Sequence, residues 1–394
     1  MSKRSISGLV VATSSGEPMR SARPKPIHLL CGRAMASYVL DTLAAVGVRQ
    51  GVVVTGVEGG RISKRLLEDP PGFPVRFVEQ KIERGNGDAV LIGLSGFDDF
   101  NDDEDLIVVP ADLPLLRPAI VEQLIQAHKD AGAACTVLSF DAGESLGHDR
   151  VLRDRHGKVS AIVSDAELAD DVRIDRILED DPLAGTRAES SIADADATET
   201  TEPQPGREAA AGVYIVRRGL LAPSIRRATS ERKAGPLVIS DVVAVLAESG
   251  HSCASMMVDS PQDLTPVGNR LQLAEAEAEL RRRTNRYWMS MGVTMVDPDR
   301  TYIDATVELG TDVTIFPGTM LQGSTRIGDG CELGPDTRLD RCVVGRGTKI
   351  EKVTATLATI GDDCTVGPFA VLQPGSDLAS GTVTGPFYAG GATT

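Results

Sequence analysis

Two loops in this sequence of 394 residues place polar side chains where α/β proteins commonly bind ligands. One follows the apolar run GLVVAT and contains Lys25, and the other follows LIVVP and contains Asp112. A lysine can neutralise phosphate charge, and a carboxylate directly after a buried strand either holds a divalent cation or caps the next helix. Taken alone, Lys25 is an ordinary loop lysine and Gln80 an ordinary surface amide, so their context must decide.

The elements that position these residues predict an α/β domain. From Gly8 to about Ile125, strand-like apolar runs alternate with helix-patterned stretches, in the order GLVVAT, MASYVLDTLAAVG, GVVVTG, PVRFVEQ, AVLIGLSG and DLIVVPAD. Strands separated by helices of this length predict βαβ units and a parallel sheet. Because ligands bind at the carboxyl ends of such strands, the loops after GLVVAT and LIVVP are where we expect a site.

Composition excludes several classes of function. The net charge of −15 argues against nucleic acid or an anionic membrane as a partner, although a local basic pocket can still bind a nucleotide. No apolar stretch approaches the length of a membrane span, and MSKRSISGLVVATSSG is not a secretory signal, so we expect a cytoplasmic protein. The six cysteines form no CxxC pair, so we expect neither zinc nor disulfides.

An acidic insertion interrupts the pattern at about 165–208. This stretch holds fourteen Asp or Glu against four Arg, too little apolar surface to offset the entropy of ordering it. A solvated insertion without function is the simpler interpretation, and a regulatory or partner-binding segment is the alternative. Strand character returns at AAAGVYIVRRG, and SDVVAVLAESG predicts a helix with Ser240 as N-cap, which closes a first domain of about residues 1–260.

A helical arm at about 261–295 leads to the clearest pattern in the sequence. RLQLAEAEAELRRRTNRYW predicts a helix of about fifteen residues with Leu273, Ala276 and Leu280 on one stripe. Aliphatic residues then recur every six positions, at Ile303, Leu309, Ile315, Leu321, Ile327, Leu333 and Leu339, after a one-residue slip at Val344 and Ile350, and later at Ile360, Val366, Leu372 and Leu378. Such hexapeptide repeats predict a left-handed parallel β-helix of about four coils over 303–380, within a domain at 296–394.

Several motifs together resemble one bacterial enzyme family. ATSSGEPMRSARPKPIHLLCGRAM is similar to its opening loop, LAAGxGTRMxSxxPKxLHxLxGxxM. Further matches are Gln80, then Gly85-Asn86-Gly87-Asp88-Ala89 where the family has GTGHA, Ala111-Asp112-Leu113-Pro114-Leu115 where it has GD-PLL, Gly212-Val213-Tyr214, Ser240-Asp241, and NRLQL from Asn269. Their order and spacing, across nearly the whole chain, resemble the bifunctional N-acetylglucosamine-1-phosphate uridylyltransferase and glucosamine-1-phosphate acetyltransferase.

The resemblance implies that a sugar phosphate oxygen attacks the α-phosphorus of UTP and expels pyrophosphate. Such a site needs backbone N–H groups and a lysine for the phosphates, and a divalent metal held by a carboxylate. By resemblance Lys25 neutralises phosphate charge, Asp112 holds Mg²⁺ and Gln80 hydrogen-bonds the uracil edge. The implied nucleotide site comprises Val11, Ala12, Thr13, Ser14, Lys25, Gln80, Gly85, Asn86 and Asp112, with Lys25 and Asp112 as the catalytic residues.

The phosphate loop departs from the family at two positions. Ser14 replaces the first glycine, and Pro18 replaces an arginine that grips the triphosphate. Both changes weaken phosphate binding, because a side chain crowds the backbone and proline removes a charged donor and an N–H. Arg20 or Arg23 could substitute for the arginine.

The sugar and metal positions depart as well. Asp149, Ser164 and Ala210 stand where the family has a glycine, a glutamate and an asparagine that read N-acetylglucosamine. Gly268 stands where the family has its second metal ligand, an asparagine, and Asn269 follows one residue later.

The repeat region lacks the family's acetyltransferase residues. The family has an arginine before a PG turn and a histidine base in later coils, whereas this sequence has Gln373 before its PG turn and no histidine after Gly361. We therefore expect a truncated β-helix without acetyltransferase activity, which holds subunits together as a homotrimer.

These observations predict a Rossmann-like (GT-A-like) α/β nucleotidyltransferase domain followed by a left-handed β-helix. The leading hypothesis is a Mg²⁺-dependent uridylyltransferase that acts on UTP and a sugar 1-phosphate, first N-acetylglucosamine 1-phosphate, and supplies cell-wall peptidoglycan synthesis. One alternative is a catalytically silent homologue that binds a nucleotide or serves in assembly. The other is a transferase with a different base or sugar.

Overall fold

The computed structural model describes residues 5–97, 104–143, 147–164, 207–231 and 235–391. The chain divides into two compact units. The first unit is Met1–Ile27 with Ala36–Pro266, and the second unit is His28–Met35 with Val267–Thr394. The acidic insertion predicted at 165–208 lies outside the described residues except for its last two positions.

A mixed sheet forms the centre of the first unit. Its strands are β1 (Ile6–Ala12), β2 (Gly51–Thr55), β3 (Val75–Glu79), β4 (Asp105–Pro110), β5 (Cys135–Asp141), β6 (Arg150–Arg153), β7 (Val159–Val163), β8 (Glu208–Arg217) and β9 (Cys253–Val258). Their order is β9-β5-β8-β4-β1-β2-β3, and β6 pairs with both β8 and β7.

The predicted parallel pairing is confirmed among strands β1 to β4. Strand β1 lies parallel to both β2 and β4, and β2 lies parallel to β3. Strand β8, which lies outside the stretch for which parallel pairing was predicted, runs antiparallel between β4 and β5 and makes the sheet mixed. Valine-rich runs suit the central strands because they are covered on both faces, and residues 51–55 of β2 are all buried.

Helices flank the strands of the first unit. They are α1 (Met35–Ala45), α2 (Gly59–Leu67), α3 (Asn86–Gly93), α4 (Pro118–Ala131), α5 (Arg218–Glu231) and α6 (Asp241–Glu248). The sequence did not predict α5. Ser240 does precede α6, as predicted, but its side chain makes no capping hydrogen bond, because its backbone already has the right-handed helical conformation.

The second unit begins with a long helix and a short hairpin. Helix α7 (Arg270–Ser290) has 21 residues rather than about fifteen, and Ala276 and Leu280 on its predicted stripe are buried. Strands Leu29–Leu30 and Arg33–Ala34 form the hairpin. Its turn is fixed to this unit because the backbone N–H of Cys31 donates to Glu277 Oε2 of α7 at 2.8 Å.

The predicted left-handed β-helix is confirmed as three stacks of short parallel strands. One stack is Thr294–Met295, Thr314–Ile315, Glu332–Leu333, Lys349–Ile350 and Thr365–Val366; the second is Tyr302–Ile303, Met320–Gln322, Arg338–Asp340, Thr354–Thr356, Val371–Leu372 and Ala389–Gly390; the third is Glu308–Leu309, Arg326–Ile327, Val343–Val344, Thr359–Ile360 and Asp377–Leu378. The strands therefore extend beyond 303–380 on both sides.

The repeated aliphatic residues build the core of this helix. Leu321, Leu333 and Leu339 are fully buried, as the interval of six predicts. The apparent gap between Ile350 and Ile360 is filled by Ala355, which pairs in register with Leu339. Among the described residues, no helix combines the length and apolar character needed to cross a membrane.

Candidate active site

Lys25 and Asp112 form an ion pair in the first unit. Lys25 lies in a short 3-10 helix, Lys25–Ile27, and Asp112 follows the end of β4. Lys25 Nζ lies 2.5 Å from Asp112 Oδ2, and the two side chains are only 10% and 18% exposed. The two loops meet because the backbone N–H of Ala111 donates to the carbonyl oxygen of Val11 at 2.9 Å.

Asp112 does not cap a helix. The next helix, α4, begins at Pro118, and its N-cap position is Arg117. Of the two interpretations that the sequence left open for this carboxylate, the structure therefore excludes the cap. What remains is a carboxylate at the ligand edge of the sheet with a lysine as its partner.

The loop between β1 and Lys25 is closed by its own backbone. The N–H groups of Met19 and Ser21 both donate to the carbonyl oxygen of Gly16 at 3.0 Å. A Cβ at Gly16 would overlap the carbonyl oxygens of Ser21 and Arg23, so this position requires glycine. Pro18 lies in the 3-10 helix Glu17–Met19, where its fixed φ suits the turn.

A cavity of about 280 Å³ opens beside the ion pair. It is lined by Val11, Thr13, Ser14, Lys25, Pro26, Glu83, Gly85, Asn86, Val108, Pro110, Ala111, Asp112, Gly212, Val238 and Ile239. Seven of the nine residues predicted for the nucleotide site are among them. Ala12 is not, because neighbouring residues of a strand point to opposite faces and Ala12 is buried in the core. The volume of the cavity approaches that of common small-molecule sites.

Arg20 and Arg23, the proposed substitutes for the lost arginine, do not line this cavity. Both are described and exposed, and Arg20 has a left-handed φ of 48°. Within the described part of the chain, Lys25 is thus the only cationic side chain that lines the cavity.

One wall of the cavity is a segment that the sequence did not predict. Asn86 Oδ1 accepts a hydrogen bond from the backbone N–H of Ile239 at 2.8 Å, and the N–H of Gly87 donates to the carbonyl oxygen of Leu237 at 3.0 Å. Gly85, with φ of 104°, has no room for a side chain against Leu237. Val238 and Ile239 directly precede Ser240-Asp241, a matched motif that could have pointed to them.

Gln80 lies behind this wall. It follows β3, is 2% exposed and does not line the cavity. The expectation that this residue, taken alone, is an ordinary surface amide is therefore wrong. Its Nε2 donates to Asp88 Oδ2 at 2.8 Å and to the carbonyl oxygen of Gly85 at 3.2 Å. Hydrogen bonding of a base edge by Gln80 stays a prediction.

Asp112 can contribute one carboxylate ligand to a magnesium ion. Mg²⁺ commonly takes one or two carboxylates together with substrate phosphates, and Asp112 offers one carboxylate at the cavity. Among the described residues, no group of three or more His, Cys, Asp or Glu side chains could hold a metal ion. The residues present therefore fit a metal that arrives with a triphosphate rather than a metal held by protein alone.

Asn269 serves the start of α7. Its Oδ1 accepts from the backbone N–H of Gln272 at 3.0 Å, while Gln272 Oε1 accepts from the backbone N–H of Gly268 at 2.8 Å. The first bond is a side-chain N-cap of α7, and the second ties Gln272 to the residue before that cap. The side chain that could have replaced the family's second metal ligand is thus engaged in a helix cap.

The three altered sugar positions lie on strands β6 to β8 or beside them. The backbone N–H of Ala210 in β8 donates to the carbonyl oxygen of Asp149 at 2.8 Å, and Ser164 follows β7. All three are described residues, and none lines the cavity.

Known proteins match the chain across both units. Residues 8–242 match the MobA-like NTP transferase domain. The chain is 34% identical over 382 residues to the bifunctional protein GlmU of Mycobacterium tuberculosis, an alignment that covers 96% of this chain and 70% of that protein. It is 32% identical to the GlmU proteins of Heliobacterium modesticaldum and Streptomyces avermitilis, with 96% of this chain and 74% and 72% of those proteins covered.

Proposed function

Since the chain belongs to the GlmU family and carries a MobA-like NTP transferase domain, we propose that it is a sugar-1-phosphate uridylyltransferase. It joins UTP and a sugar 1-phosphate, first N-acetylglucosamine 1-phosphate, into a UDP-sugar and pyrophosphate. The single observation that carries this proposal is the Lys25–Asp112 ion pair at a cavity closed by the Gly85–Asn86 wall. The product would supply peptidoglycan and cell-wall synthesis in the cytoplasm.

In this reaction a phosphate oxygen of the sugar phosphate attacks the α-phosphorus of UTP. A new P–O bond forms, the bond to the bridging α,β-oxygen breaks, and pyrophosphate leaves with that electron pair. No protein nucleophile is required, so the site contributes alignment and charge. Lys25 Nζ is partly buried, where a cation stabilises developing phosphate charge more strongly than in water.

Asp112 would hold Mg²⁺ together with oxygens of the triphosphate. When bound, Mg²⁺ neutralises phosphate charge and orients the leaving pyrophosphate. Asp112 Oδ2 is paired with Lys25 in the structure. When the triphosphate binds with its cation, the cation would replace Lys25 as the partner of Asp112. Lys25 would then turn from the carboxylate to the phosphates.

A pyrophosphate-release assay tests the proposal. Purified protein is incubated with Mg²⁺, UTP and a panel of sugar 1-phosphates, because Asp149, Ser164 and Ala210 differ from the family's sugar-reading residues. We expect release that depends on UTP, Mg²⁺ and one sugar phosphate. No release with any member of the panel would contradict the proposal.

The second candidate is a catalytically silent nucleotide-binding protein. Two observations favour it: Arg20 and Arg23 do not line the cavity, and Asn269 is engaged in a helix cap. This candidate predicts UTP binding by calorimetry without turnover of any sugar 1-phosphate. The same panel therefore separates the two functions.

For the β-helix, we propose assembly of a homotrimer without acetyl transfer. Exposed apolar side chains on its coils, including Val343, Phe369, Val371 and Phe387, support an assembly surface. Gln373, which stands before the PG turn in place of the family's arginine, supports the lack of acetyl transfer. A monomeric mass by light scattering would contradict the trimer, and thiol release from acetyl-CoA that depends on glucosamine 1-phosphate would contradict the second part.

A further inference from the structure

Helix α2 lies against the loop that leads from β1 to Lys25. The helix packs on the 3-10 helix Lys25–Ile27. Just before α2 begins, the backbone also approaches this loop closely, because a Cβ at Gly56 would lie only 2.6 Å from the carbonyl oxygen of Thr13. Thr13 itself lines the cavity. The chain from the end of β2 into α2 therefore adjoins the loop at both of its ends.

One side chain of α2 binds the middle of the same loop. Arg61 Nη1 donates to the carbonyl oxygen of Ala22 at 2.8 Å, and the same nitrogen forms an ion pair with the carboxylate of Glu58, the residue before the helix. This nitrogen carries two N–H groups, so it can serve both acceptors. Glu58 thereby orients the guanidinium, and the second N–H is directed at the loop.

The chain between Ala22 and Lys25 is too stiff to absorb a displacement easily. Pro24 precedes Lys25 and Pro26 follows it. Each proline fixes its own φ and restricts the conformation of the residue before it, which here is Arg23 or Lys25. A carbonyl that is held at Ala22 therefore limits where the side chain of Lys25 can lie.

We propose that Arg61 is a positioning residue for the triphosphate site: it holds the Ala22 carbonyl and, through the proline-restricted segment, keeps Lys25 Nζ at the cavity. This inference rests on the proposed function. Arg61 is a described residue that does not line the cavity, so it acts through the loop rather than on a phosphate. Its effect matters because no other cationic side chain among the described residues lines the cavity.

Calorimetric titration with UTP and Mg²⁺, without sugar phosphate, tests this inference. Arg61→Met removes the donor but keeps an aliphatic stem, and we expect UTP affinity to fall about tenfold, the effect of one hydrogen bond from a charged group. Arg61→Lys keeps a cationic donor, so affinity should return to within about threefold of wild type.

Arg65→Met is the matched control for Arg61→Met. Arg65 lies one turn later on α2 and forms an ion pair with Glu68 at the same spacing of three residues. Loss of either exposed pair should change the melting temperature equally little, and Arg65→Met should change UTP affinity by less than about twofold. An equal loss of affinity in both variants would contradict positioning by Arg61.

A double-mutant cycle with Lys25→Met shows whether Arg61 acts through Lys25. Positioning predicts that Lys25→Met and the double variant Lys25→Met/Arg61→Met bind UTP equally weakly, because no ammonium group is left to position. A merely structural role of Arg61 predicts instead that the two losses multiply. That second result would overturn the inference.

Acetylation of Lys25 gives a further readout that needs no nucleotide. With trace N-hydroxysuccinimidyl acetate, mass spectrometry should find faster labelling of Lys25 in Arg61→Met than in wild type, while the exposed Lys64 reacts equally in both. If wild type binds UTP and Arg61→Met binds it equally well, the inference is wrong and the proposed function stands. If wild type binds no UTP, the proposed function is wrong, and an unchanged labelling rate at Lys25 would overturn the positioning role as well.

Discussion

In the β-helix an inward-facing aliphatic position recurs in each hexapeptide, whereas the cavity of the first unit depends on contacts that occur only once. Ile303, Leu321 and Leu339 stack in register, and the coils above and below repeat the arrangement. The Lys25–Asp112 pair has no such repetition. We infer that loss of one coil residue costs stability and spares chemistry, while loss of one site residue does the reverse.

Replacement of Lys25 tests this contrast with the largest expected effect. Lys25→Met should lower kcat/KM for uridylyl transfer about a thousandfold, because one preorganised charged donor contributes effects of this order at a transition state. Steady-state pyrophosphate release measures the change. Lys64→Met, at an exposed lysine of α2, is the control and should retain wild-type activity. A less than threefold loss in Lys25→Met would mean that phosphate charge is stabilised elsewhere.

Replacement of Asp112 separates metal binding from stability. Asp112→Asn should abolish Mg²⁺-dependent UTP binding, measured by calorimetry with and without Mg²⁺, because an amide is a much weaker cation ligand than a carboxylate. The melting temperature should fall only slightly, because Asp112 caps no helix and asparagine keeps an oxygen that can accept a hydrogen bond from Lys25 Nζ. Asp377→Asn, on the exposed side of a β-helix strand, is the control. Unaltered UTP binding with a loss of about 1 kcal/mol in unfolding free energy would give Asp112 a structural role only.

Truncation of one core leucine should show the opposite behaviour. Leu333→Ala should cost about 2–5 kcal/mol of unfolding free energy, because it leaves a cavity at a fully buried position, while kcat/KM stays unchanged. Trp288, the single tryptophan, packs against the β-helix core, so its fluorescence in a urea titration reports unfolding of the second unit.

Glu332→Ala, in the same strand, is the matched control for Leu333→Ala. Its carboxylate forms a surface ion pair with Lys349 at 2.8 Å, which contributes little to stability, so we expect a change below about 1 kcal/mol. Equal destabilisation by the two variants would contradict the assignment of stability to the repeated core.

The smallest effect that we expect concerns alkylation of the cysteines, which lie in both units and report on each unit separately. Burial raises the pKa of Cys253 to about 11 and raises the pKa of Cys331 and Cys342 above the usual range. Thiolate is the reactive form, so native protein should incorporate little alkylating reagent from pH 7 to 9. The raised pKa values favour the folded state below pH 9, and this contribution declines as the pH rises from 9 toward 11.

Pulse alkylation in urea turns these thiols into reporters of each unit. Cys135 and Cys253 lie in the first unit, and Cys331 and Cys342 lie in the second. In Leu333→Ala, mass spectrometry should find earlier labelling at Cys331 and Cys342 but not at Cys135 and Cys253. Earlier labelling at all four positions would show that the two units unfold together.

Periodicity was sufficient to predict the β-helix because the same residue class recurs at the same interval. Ala355 was not predicted as a core residue because it lies five residues, not six, from both Ile350 and Ile360, and because alanine is small. The hairpin of Leu29–Leu30 and Arg33–Ala34 could not be assigned to the second unit from sequence, since it lies far along the chain from Glu277, which accepts a hydrogen bond from its turn.

The positions of site residues that follow strand ends could be predicted from the sequence. The hydrogen-bond partners of buried or capping side chains could not. Lys25 and Asp112 meet because the loops after β1 and β4 share one edge of the sheet. The engagement of Gln80 by Asp88, and of Asn269 by Gln272, depends on which neighbour each amide finds after folding. Local sequence does not determine that choice.

Direct detection of the product tests uridylyl transfer at this cavity most sharply. Purified protein is incubated with Mg²⁺, UTP and N-acetylglucosamine 1-phosphate, and phosphorus NMR follows the UDP-sugar and pyrophosphate. We expect equal amounts of both from wild type and from Lys64→Met, and neither from Lys25→Met within the same time. Equal product formation by Lys25→Met, or UTP binding without any product from wild type, would contradict the assignment of catalysis to the Lys25–Asp112 site.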